Sequence, residues 1–179
     1  MHDRYKIFDQ EGVHFLTSTI VEWIPVFTEH HYFNIVIESL KYCIENKGLS
    51  LYAFVILDNH FHLIASAPKL SDTIGSLRKY SAPQIIDKLT HDKKDWLLNQ
   101  LSYYKKSYKT NSRHQVWQEG LHPQQILNDD MFRQKAEYIH QNPVERGYVA
   151  QAEYWLYSSA RNYIFGDNSI VKVNTDLVF

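Results

Sequence analysis

The stretch LDNHFHLI at residues 57–64 carries the strongest structural signal in this chain. Two strand-like runs, 51–57 and 60–67, flank a pair of polar residues, and this spacing is typical of a tight antiparallel hairpin. Residues two apart on a strand point to the same face of a sheet, so His60 and His62 present two imidazoles side by side. Such a pair is suited to binding a divalent metal ion, provided that further ligands lie nearby.

A helix is predicted to lead into the sequence YIHQNPV at residues 138–144. Asn128 or Asp129 can cap its start, where a negative charge also suits the helix dipole. Its apolar residues recur at i, i+4 and i+7 and form one stripe for the core: Phe132, Ala136 and Ile139. Tyr138 lies off this stripe, and Asn142 follows it by one turn on the same face. Because a residue before proline avoids helical geometry, the helix should end near Asn142.

The remaining segments complete an α+β pattern. A strand is expected at 14–21 and helices at 32–46 and 70–89, the second one interrupted or kinked near Pro83. Residues 92–108 should be helical in part, and 115–120 should form a short strand. The order β-α-β-β-α-β predicts a ferredoxin-like split βαβ antiparallel sheet with helices on one face.

Four sequence blocks occur in order along the chain: NHFH at 59–62, VWQEG at 116–120, YIHQNPV at 138–144 and WLYSS at 155–159. They resemble the successive signatures of REP-associated tyrosine transposases, which are IS200-like transposases of the HUH single-tyrosine superfamily. The similarity runs from about residue 14 to residue 163. Histidine-hydrophobic-histidine alone is a weak motif, whereas four ordered blocks are specific, and they imply an HUH transposase-like fold.

This resemblance implies a role for each residue of a candidate active site. Tyr138 matches the nucleophile of the family. His60 and His62 match the pair that binds Mg²⁺ or Mn²⁺, and Asn142 matches the helix residue that supplies a third metal ligand. Gln141 is the fallback ligand, because related enzymes use glutamine in this role. The implied reaction cuts and rejoins single-stranded DNA at REP-like hairpins through a 5′-phosphotyrosine, with a 3′ hydroxyl as the leaving group.

The chemistry of a phenol explains why a metal ion is expected at such a site. The ordinary tyrosine pKa of about 10 makes the hydroxyl a poor nucleophile at neutral pH. A nearby cation favours the phenolate and also polarises a phosphoryl oxygen, so one ion can serve both needs. Asp58, where the family commonly has proline, shares strand parity with the two histidines and could also face the metal.

Positive charge is concentrated in one part of a chain whose net charge is −1. Residues 78–113 hold 9 basic and 3 acidic side chains, and the sequence YYKKSYK at 103–109 places tyrosines among lysines. Lysines can bind phosphates while tyrosine rings stack on unpaired bases. A solvated connector would have the same composition. The candidate DNA-binding residues are Arg78, Lys79, Tyr104, Lys105, Lys106, Tyr108, Lys109 and Arg113.

Length and composition limit the class of protein. The 179 residues are most simply one domain, 1–179, with a basic insertion at 78–113 and a C-terminal tail from about 145. The single cysteine, Cys43, cannot form an intramolecular disulfide, which fits a reducing compartment. No signal peptide is evident, and the longest apolar run is too short to cross a bilayer, so a cytoplasmic protein with no membrane partner is expected. The aromatic residues at 154–157 could pack on the domain, touch DNA or contact a second copy in a homodimer.

Other functions remain open at this stage. A hydrolytic nuclease would use the same metal site without forming a covalent adduct. A non-catalytic, domesticated DNA or RNA hairpin-binding protein would keep the fold and lose the need for Tyr138. A sheet of the RNA-recognition type is disfavoured, because its pattern of glycines and aromatics is missing.

Overall fold

The hairpin predicted at residues 51–67 lies within a four-stranded sheet. In the computed structural model, which describes residues 7–176, the strands are β1 (His14–Thr19), β2 (Ser50–Ile56), β3 (His60–Ser66) and β4 (Gln124–Gln125). Their spatial order is β2-β3-β1-β4, and every neighbouring pair is antiparallel. The Leu57 N–H donates to the His60 carbonyl oxygen at 2.8 Å and closes the predicted two-residue turn.

Five α-helices connect and cover the strands of the described residues. They are α1 (His30–Asn46), α2 (Leu70–His91), α3 (Asp95–Tyr103), α4 (Asp129–Glu145) and α5 (Ala160–Phe165), with short 3-10 turns at Val21–Trp23 and Ala152–Tyr154. The helix predicted at 32–46 and the partly helical segment at 92–108 correspond to α1 and α3. The order of elements and the antiparallel sheet confirm the predicted ferredoxin-like α+β class.

Helices cover both faces of the sheet, which differs from the expected arrangement on one face. On one face, α1 and α2 pack over Leu16, Phe54, Phe61 and Leu63. On the other face, α4 packs over a second core that includes Phe15 and Ile64. The difference arises because both faces of β3 carry large side chains, and an uncovered face would leave this apolar surface in water.

Two prolines lie inside helices instead of ending them. Helix α2 continues through Pro83 to His91, and α4 continues through Pro143 to Glu145, so the predicted end of α4 near Asn142 is wrong. Each proline removes one backbone hydrogen bond, at a cost of about 3 kcal/mol in a helix interior. Burial of neighbouring residues offsets this cost, since Ile85 of α2 is fully buried and Pro143 itself is buried in α4. The start of α4 is as predicted, with the Asn128 side chain accepting a hydrogen bond from the Met131 N–H at 3.0 Å.

The segment 115–120 extends the edge of β1 only through an isolated bridge between Ile20 and Trp117. Its backbone is nevertheless paired, because the Gln118 N–H donates to the Thr19 carbonyl and the Val21 N–H to the Val116 carbonyl, both at 2.8 Å. The regular fourth strand begins at Gln124, four residues after this segment ends. These two hydrogen bonds join residues 116–118 to the end of β1, and so they determine where the chain that follows the basic segment meets the sheet.

The C-terminal tail packs on the sheet. The Trp155 indole N–H donates to the Ile56 carbonyl oxygen at 2.9 Å, and the Ser159 hydroxyl accepts from the Phe54 N–H at 2.9 Å. Val171 and Val173 are buried in the larger core. Within residues 7–176, no helix is long and apolar enough to cross a membrane. The division of the chain into one domain with an insertion and a tail stays a prediction.

Candidate active site

Strand β3 places His60 and His62 on the face of the sheet that α4 covers. Their ring centroids lie 4.7 Å apart, and the two residues are 2% and 5% exposed. Across the β1–β3 pairing, Thr19 lies opposite His60 and Thr17 lies opposite His62. The predicted pair of imidazoles on one face is therefore formed, and it is enclosed by protein.

Each imidazole is held through its Nδ1 atom. The His60 Nδ1 lies 2.7 Å from the Asn59 side-chain oxygen, and the His62 Nδ1 lies 2.8 Å from the Thr17 hydroxyl. The Asn59 amide nitrogen donates to the Trp23 carbonyl, so its oxygen faces His60 and accepts from the Nδ1–H. This contact leaves the His60 Nε2 as the free acceptor. The His62 Nε2 is buried and has no hydrogen-bond partner among residues 7–176.

Burial keeps both imidazoles neutral. It lowers the pKa of His60 from 6.5 to about 4, and the cationic Arg146 acts in the same direction. Burial also lowers the pKa of His62 to about 3, with further contributions from His60, Arg146 and Lys135. A neutral imidazole is the form that binds a metal ion, so both rings are ready to act as ligands at neutral pH.

Helix α4 brings Tyr138 to His62. The Tyr138 ring centroid lies 5.3 Å from that of His62 and 5.9 Å from that of Phe15, and the tyrosine is 44% exposed. Asn142 is buried one turn further along the helix, whereas Gln141 is exposed to solvent. A phenol that reaches solvent thus lies beside a buried imidazole and a buried amide.

The residues present fit a divalent metal ion. Both histidines have Nδ1 engaged by a neighbouring side chain, the arrangement that orients imidazole ligands in metal sites, and the orphaned His62 Nε2 needs a partner. Among residues 7–176, no cluster of three or more His, Cys, Asp or Glu side chains could hold a metal. Asp58 does not join the histidines, because its Oδ1 lies 3.6 Å from a guanidinium nitrogen of Arg146. A third protein ligand would therefore be an amide.

Comparison with known proteins identifies the family. The model of the family described as IS200-like transposases matches residues 12–122, more than half of the chain and the part that includes both histidines. The chain belongs to this family. It is a DNA transposase, and the resemblance found in the four sequence blocks is confirmed.

Two relatives extend the comparison over α4 and the tail. A Haemophilus influenzae protein whose curated name proposes a REP-associated tyrosine transposase is 23% identical over 185 residues, which cover 99% of this transposase and 100% of the relative. A solved structure of a REP-associated tyrosine transposase bound to a REP hairpin is 19% identical. It covers 99% of this chain and 96% of its own, with a TM-score of 0.62. At this identity the likeness shows the fold, and it confirms the predicted HUH transposase-like class.

The basic segment of the transposase lies against the sheet face that packs α1 and α2. Four of the eight candidate DNA-binding residues border one surface groove of about 520 Å³ between α2 and the segment 109–117. We call it the α2 groove, and it is lined by Arg78, Lys79, Pro83, Ile86, Lys109, Arg113 and Trp117. The Trp117 ring packs against Phe61, which points away from the histidine face, so the groove and the histidine site lie on opposite faces of the sheet.

Several of the candidate DNA-binding side chains have partners within the protein. The half-buried Arg78 guanidinium donates to the carbonyl oxygens of Gln118 and Gly120, and this contact ties α2 to the VWQEG block. Tyr108 donates to the Glu119 carboxylate, and the Lys109 ammonium lies 3.2 Å from the same side chain. The Lys105 ammonium donates to the Lys109 carbonyl oxygen at 2.7 Å. These contacts fold the basic segment back onto the sheet.

Other basic-segment residues are more available at the surface. Tyr104, Lys79, Lys106 and Arg113 are at least partly exposed. Within residues 7–176, Lys109 is the only residue of this segment whose side chain forms an ion pair with a residue after position 113. Its partner is Glu119. A DNA strand could therefore reach the charges of Lys79, Lys106 and Arg113 directly.

Sequence reasoning missed three side chains at the site: Thr17, Trp23 and Arg146. Thr17 meets His62 only because of the register between β1 and β3. Trp23 stacks edge-on against His60, with 5.3 Å between ring centroids. Arg146 follows Asn142 by one turn, and this spacing was the one signal in the sequence that could have placed it at the site.

Proposed function

We propose that this transposase cuts and rejoins single-stranded DNA at hairpins through a covalent 5′-phosphotyrosine on Tyr138. The observation that carries the proposal is the position of the Tyr138 ring, 5.3 Å from that of His62, whose buried Nε2 has no hydrogen-bond partner within residues 7–176. The relative named as a REP-associated tyrosine transposase and the structural neighbour bound to a REP hairpin support hairpin DNA as the substrate.

The proposed reaction exchanges one phosphoester bond for another. The Tyr138 oxygen attacks the scissile phosphorus and loses its proton, and the bond from phosphorus to the 3′ oxygen of the departing strand breaks. That oxygen takes up a proton and leaves as a 3′ hydroxyl. The energy of the phosphodiester is conserved in the phosphotyrosine, so a 3′ hydroxyl of another strand can attack it and restore a DNA phosphodiester without ATP.

Mg²⁺ or Mn²⁺ would be held by the Nε2 atoms of His60 and His62 and by the Asn142 amide oxygen. Gln141 is the alternative ligand, and its exposure makes it second to the buried Asn142. When bound, such an ion would stabilise the phenolate and the charge that develops on the phosphoryl oxygens. Imidazole and amide ligands favour Mn²⁺ by ligand type, and availability favours Mg²⁺.

The residues around the histidines orient the reacting groups. Asn59 and Thr17 fix the two imidazole rings through Nδ1 and so direct each Nε2 toward α4. Phe15 stacks on His62 at 5.2 Å and contacts Tyr138 edge-on, which holds the tyrosine ring beside the imidazole. The ammonium of Lys135 lies 4.9 Å from the Phe15 ring centroid and adds positive charge on the side where a phosphate would approach.

We also propose that the basic segment binds the DNA backbone. The residues assigned are those of the α2 groove, Arg78, Lys79, Lys109 and Arg113, together with Tyr104, Lys105, Lys106 and Tyr108. Exposed Lys79, Lys106 and Arg113 would bind phosphates, while Arg78 would act mainly by positioning residues 118–120. A homodimer stays a prediction, since nothing in a single chain bears on it.

A covalent-adduct assay tests the function. The protein is mixed with a panel of labelled single-stranded hairpin oligonucleotides and Mg²⁺ or Mn²⁺ and run on a denaturing gel. We expect a labelled band at the mass of the protein that disappears with chelator and in the variants Tyr138→Phe and His60→Ala. Tyr42→Phe is the matched control, because Tyr42 is a similarly exposed helical tyrosine on α1, away from the histidines.

Two results would contradict the proposal in different ways. Cleavage without an adduct would make the protein a hydrolytic nuclease. Binding across the panel with neither cleavage nor an adduct would leave a non-catalytic hairpin-binding protein.

A further inference from the structure

Trp23 is an exposed indole that contacts the buried histidine pair. Its ring centroid lies 5.3 Å from that of His60, yet the residue is 51% exposed. An indole presents a flat apolar ring on which another ring can stack, together with one polar N–H group. The indole therefore offers a free face at the edge of the candidate active site.

The backbone that presents Trp23 is held in a strained conformation. Glu22 and Trp23 both have positive φ angles, 50° and 57°, in a region that residues with a Cβ rarely adopt. The Asn59 side-chain amide donates to the Trp23 carbonyl oxygen at 3.0 Å, and the Trp23 N–H donates to the Ile20 carbonyl at 3.0 Å. Strain that is maintained by specific hydrogen bonds commonly marks a functional position.

Arg146 is a cation beside the same end of the site. It follows Asn142 by one helical turn, and a guanidinium nitrogen lies 3.6 Å from the Asp58 Oδ1. Within residues 7–176 the Arg146 side chain has this one ion pair and donates no hydrogen bond, so its N–H groups can donate to a ligand. The guanidinium is also near enough to lower the pKa values of both His60 and His62.

Trp23 and Arg146 both contact the two-residue turn that precedes β3, residues 58–59. Asp58 pairs with Arg146, and Asn59 binds the Trp23 carbonyl with its nitrogen and His60 with its oxygen. The turn therefore places an exposed aromatic ring and a cation next to His60. A ring that can stack on a base and a cation that can bind a phosphate are the two elements that recognise an unpaired nucleotide.

The position of Trp23 and Arg146 relative to Tyr138 indicates which nucleotide the two residues would bind. Tyr138 contacts His62, whereas Trp23 contacts His60, so the nucleophile and the indole lie at opposite ends of the histidine pair. In phosphoryl transfer the attacking and leaving oxygens are roughly in line on opposite sides of the phosphorus. The leaving strand would therefore extend toward Trp23 and Arg146.

We propose that Trp23 and Arg146 form a subsite for the unpaired nucleotide whose 3′ oxygen is displaced. Trp23 stacks on its base, and Arg146 binds the phosphate on its 5′ side. The assignment of strand polarity rests on the proposed function, whereas the binding of an unpaired nucleotide at these two residues does not.

Photocrosslinking locates the stacked base without any catalytic step. The probe is a single-stranded 12-mer in which every base is 5-iodouracil, which on irradiation crosslinks to an aromatic ring stacked on it. The full chain carries Tyr138→Phe so that no phosphotyrosine forms, and mass spectrometry identifies the crosslinked peptides. We expect a crosslink at Trp23 and none at Trp96, which is more exposed, at 63%, and lies on α3.

Equilibrium binding measures the two contributions in the same background. Trp23→Ala should weaken binding of the unmodified dT 12-mer by roughly 5- to 150-fold, Trp23→Phe much less, and the matched control Trp96→Ala not at all. Arg146→Gln should lower the slope of log affinity against log salt by about 0.7, the contribution of one phosphate contact on a single strand. Lys41→Gln, a remote lysine on α1, should leave this slope unchanged. Circular dichroism melting of each variant separates a loss of binding from a loss of folding.

The outcomes separate this subsite from the proposed function. Crosslinks confined to other residues, or equal losses for Trp23→Ala and Trp96→Ala, would overturn the subsite even if hairpin DNA still formed the Tyr138 adduct. A Trp23 crosslink in the Tyr138→Phe protein, together with no adduct between the wild-type protein and hairpin DNA, would uphold the subsite and refute the transesterase reaction. Polarity is tested with two 8-mers in competition, one with a 3′ hydroxyl and no 5′ phosphate, and one with a 5′ phosphate and a blocked 3′ end: Trp23→Ala should weaken binding of the first and spare the second. The reverse preference would overturn the assignment to the leaving strand.

Discussion

At the scale of single residues, the site depends on two buried imidazoles whose Nδ1 atoms are engaged and whose Nε2 atoms are left for a ligand. Burial alone lowers the pKa of a histidine, but it does not select which nitrogen is free. Asn59 and Thr17 make that selection for His60 and His62. The motif Asn-His-hydrophobic-His thus contains one of its own orienting groups, whereas the other comes from the neighbouring strand.

Loss of the Thr17 hydroxyl is expected to weaken metal binding. Thr17→Val keeps the shape of the side chain and removes the hydrogen bond to the His62 Nδ1, which should lower Mn²⁺ affinity about 10- to 100-fold. Isothermal titration with Mn²⁺ measures the change. Thr90→Val is the matched control, because the Thr90 hydroxyl bonds only within α2. Equal affinities for the two variants would show that Thr17 does not orient a ligand.

At the scale of elements, α4 determines whether the site is complete. Its stripe of Phe132, Ala136 and Ile139 packs on the sheet, and this contact sets Tyr138 beside His62. The helix is also linked to the tail, since the His140 Nε2 lies 2.8 Å from the Ser159 hydroxyl, which in turn accepts a hydrogen bond from Phe54 in β2. Helix, tail and sheet edge are therefore joined through one buried contact.

The stability of this junction should depend on pH. Burial lowers the pKa of His140 from 6.5 to about 4, so the unfolded chain binds its proton at higher pH than the folded one. The stabilisation is complete above pH 6.5 and is lost progressively as the pH falls toward 4, by up to about 1.4 kcal/mol per pH unit. Urea denaturation between pH 7 and pH 4 should show a smaller loss of unfolding free energy for His140→Gln than for the wild type.

Protonation of His60 and His62 also lowers the free energy of unfolding as the pH falls. It does so equally in the wild type and in His140→Gln. The difference between the two pH profiles therefore isolates His140. Parallel profiles would mean that His140 does not titrate with folding, and the junction would then contribute nothing to acid sensitivity.

At the scale of the whole molecule, the two faces of the sheet are specialised. One face carries α4 and the histidine site, and the other carries α1, α2 and the α2 groove. The net charge of −1 conceals this division, because the basic residues of 78–113 are balanced by acids elsewhere. A DNA substrate that contacts both the site and the groove would have to pass around the edge of the sheet.

Charge reversal in the α2 groove tests this division. Lys79→Glu with Arg113→Glu should weaken binding of hairpin DNA by at least tenfold at low salt and flatten the salt dependence, because phosphate contacts are lost. Lys41→Glu on α1 with Lys47→Glu at its C-terminal cap changes the net charge equally and is the matched control. Fluorescence anisotropy at several salt concentrations compares the two. If both double variants weaken binding to the same extent, overall charge rather than the groove accounts for the effect.

Local pattern was sufficient to predict the hairpin, the alternation that places both histidines on one face, the amphipathic α4, and through four ordered blocks the transposase family. These features depend on residues close together in the chain or on short motifs, so a single sequence contains them. The predicted helix end near Asn142 was wrong, because burial of Pro143 outweighed the local cost of a proline in α4.

Only the tertiary structure decided what surrounds the imidazoles. Thr17 meets His62 through strand register, Trp23 reaches His60 through a strained turn, and Arg146 meets Asp58 across a helix–hairpin contact. The placement of α4 on the face opposite α1 and α2 has the same origin, since it depends on which sheet face remained uncovered. Each of these contacts joins residues far apart in the chain, and its energy exists only once both sides are packed.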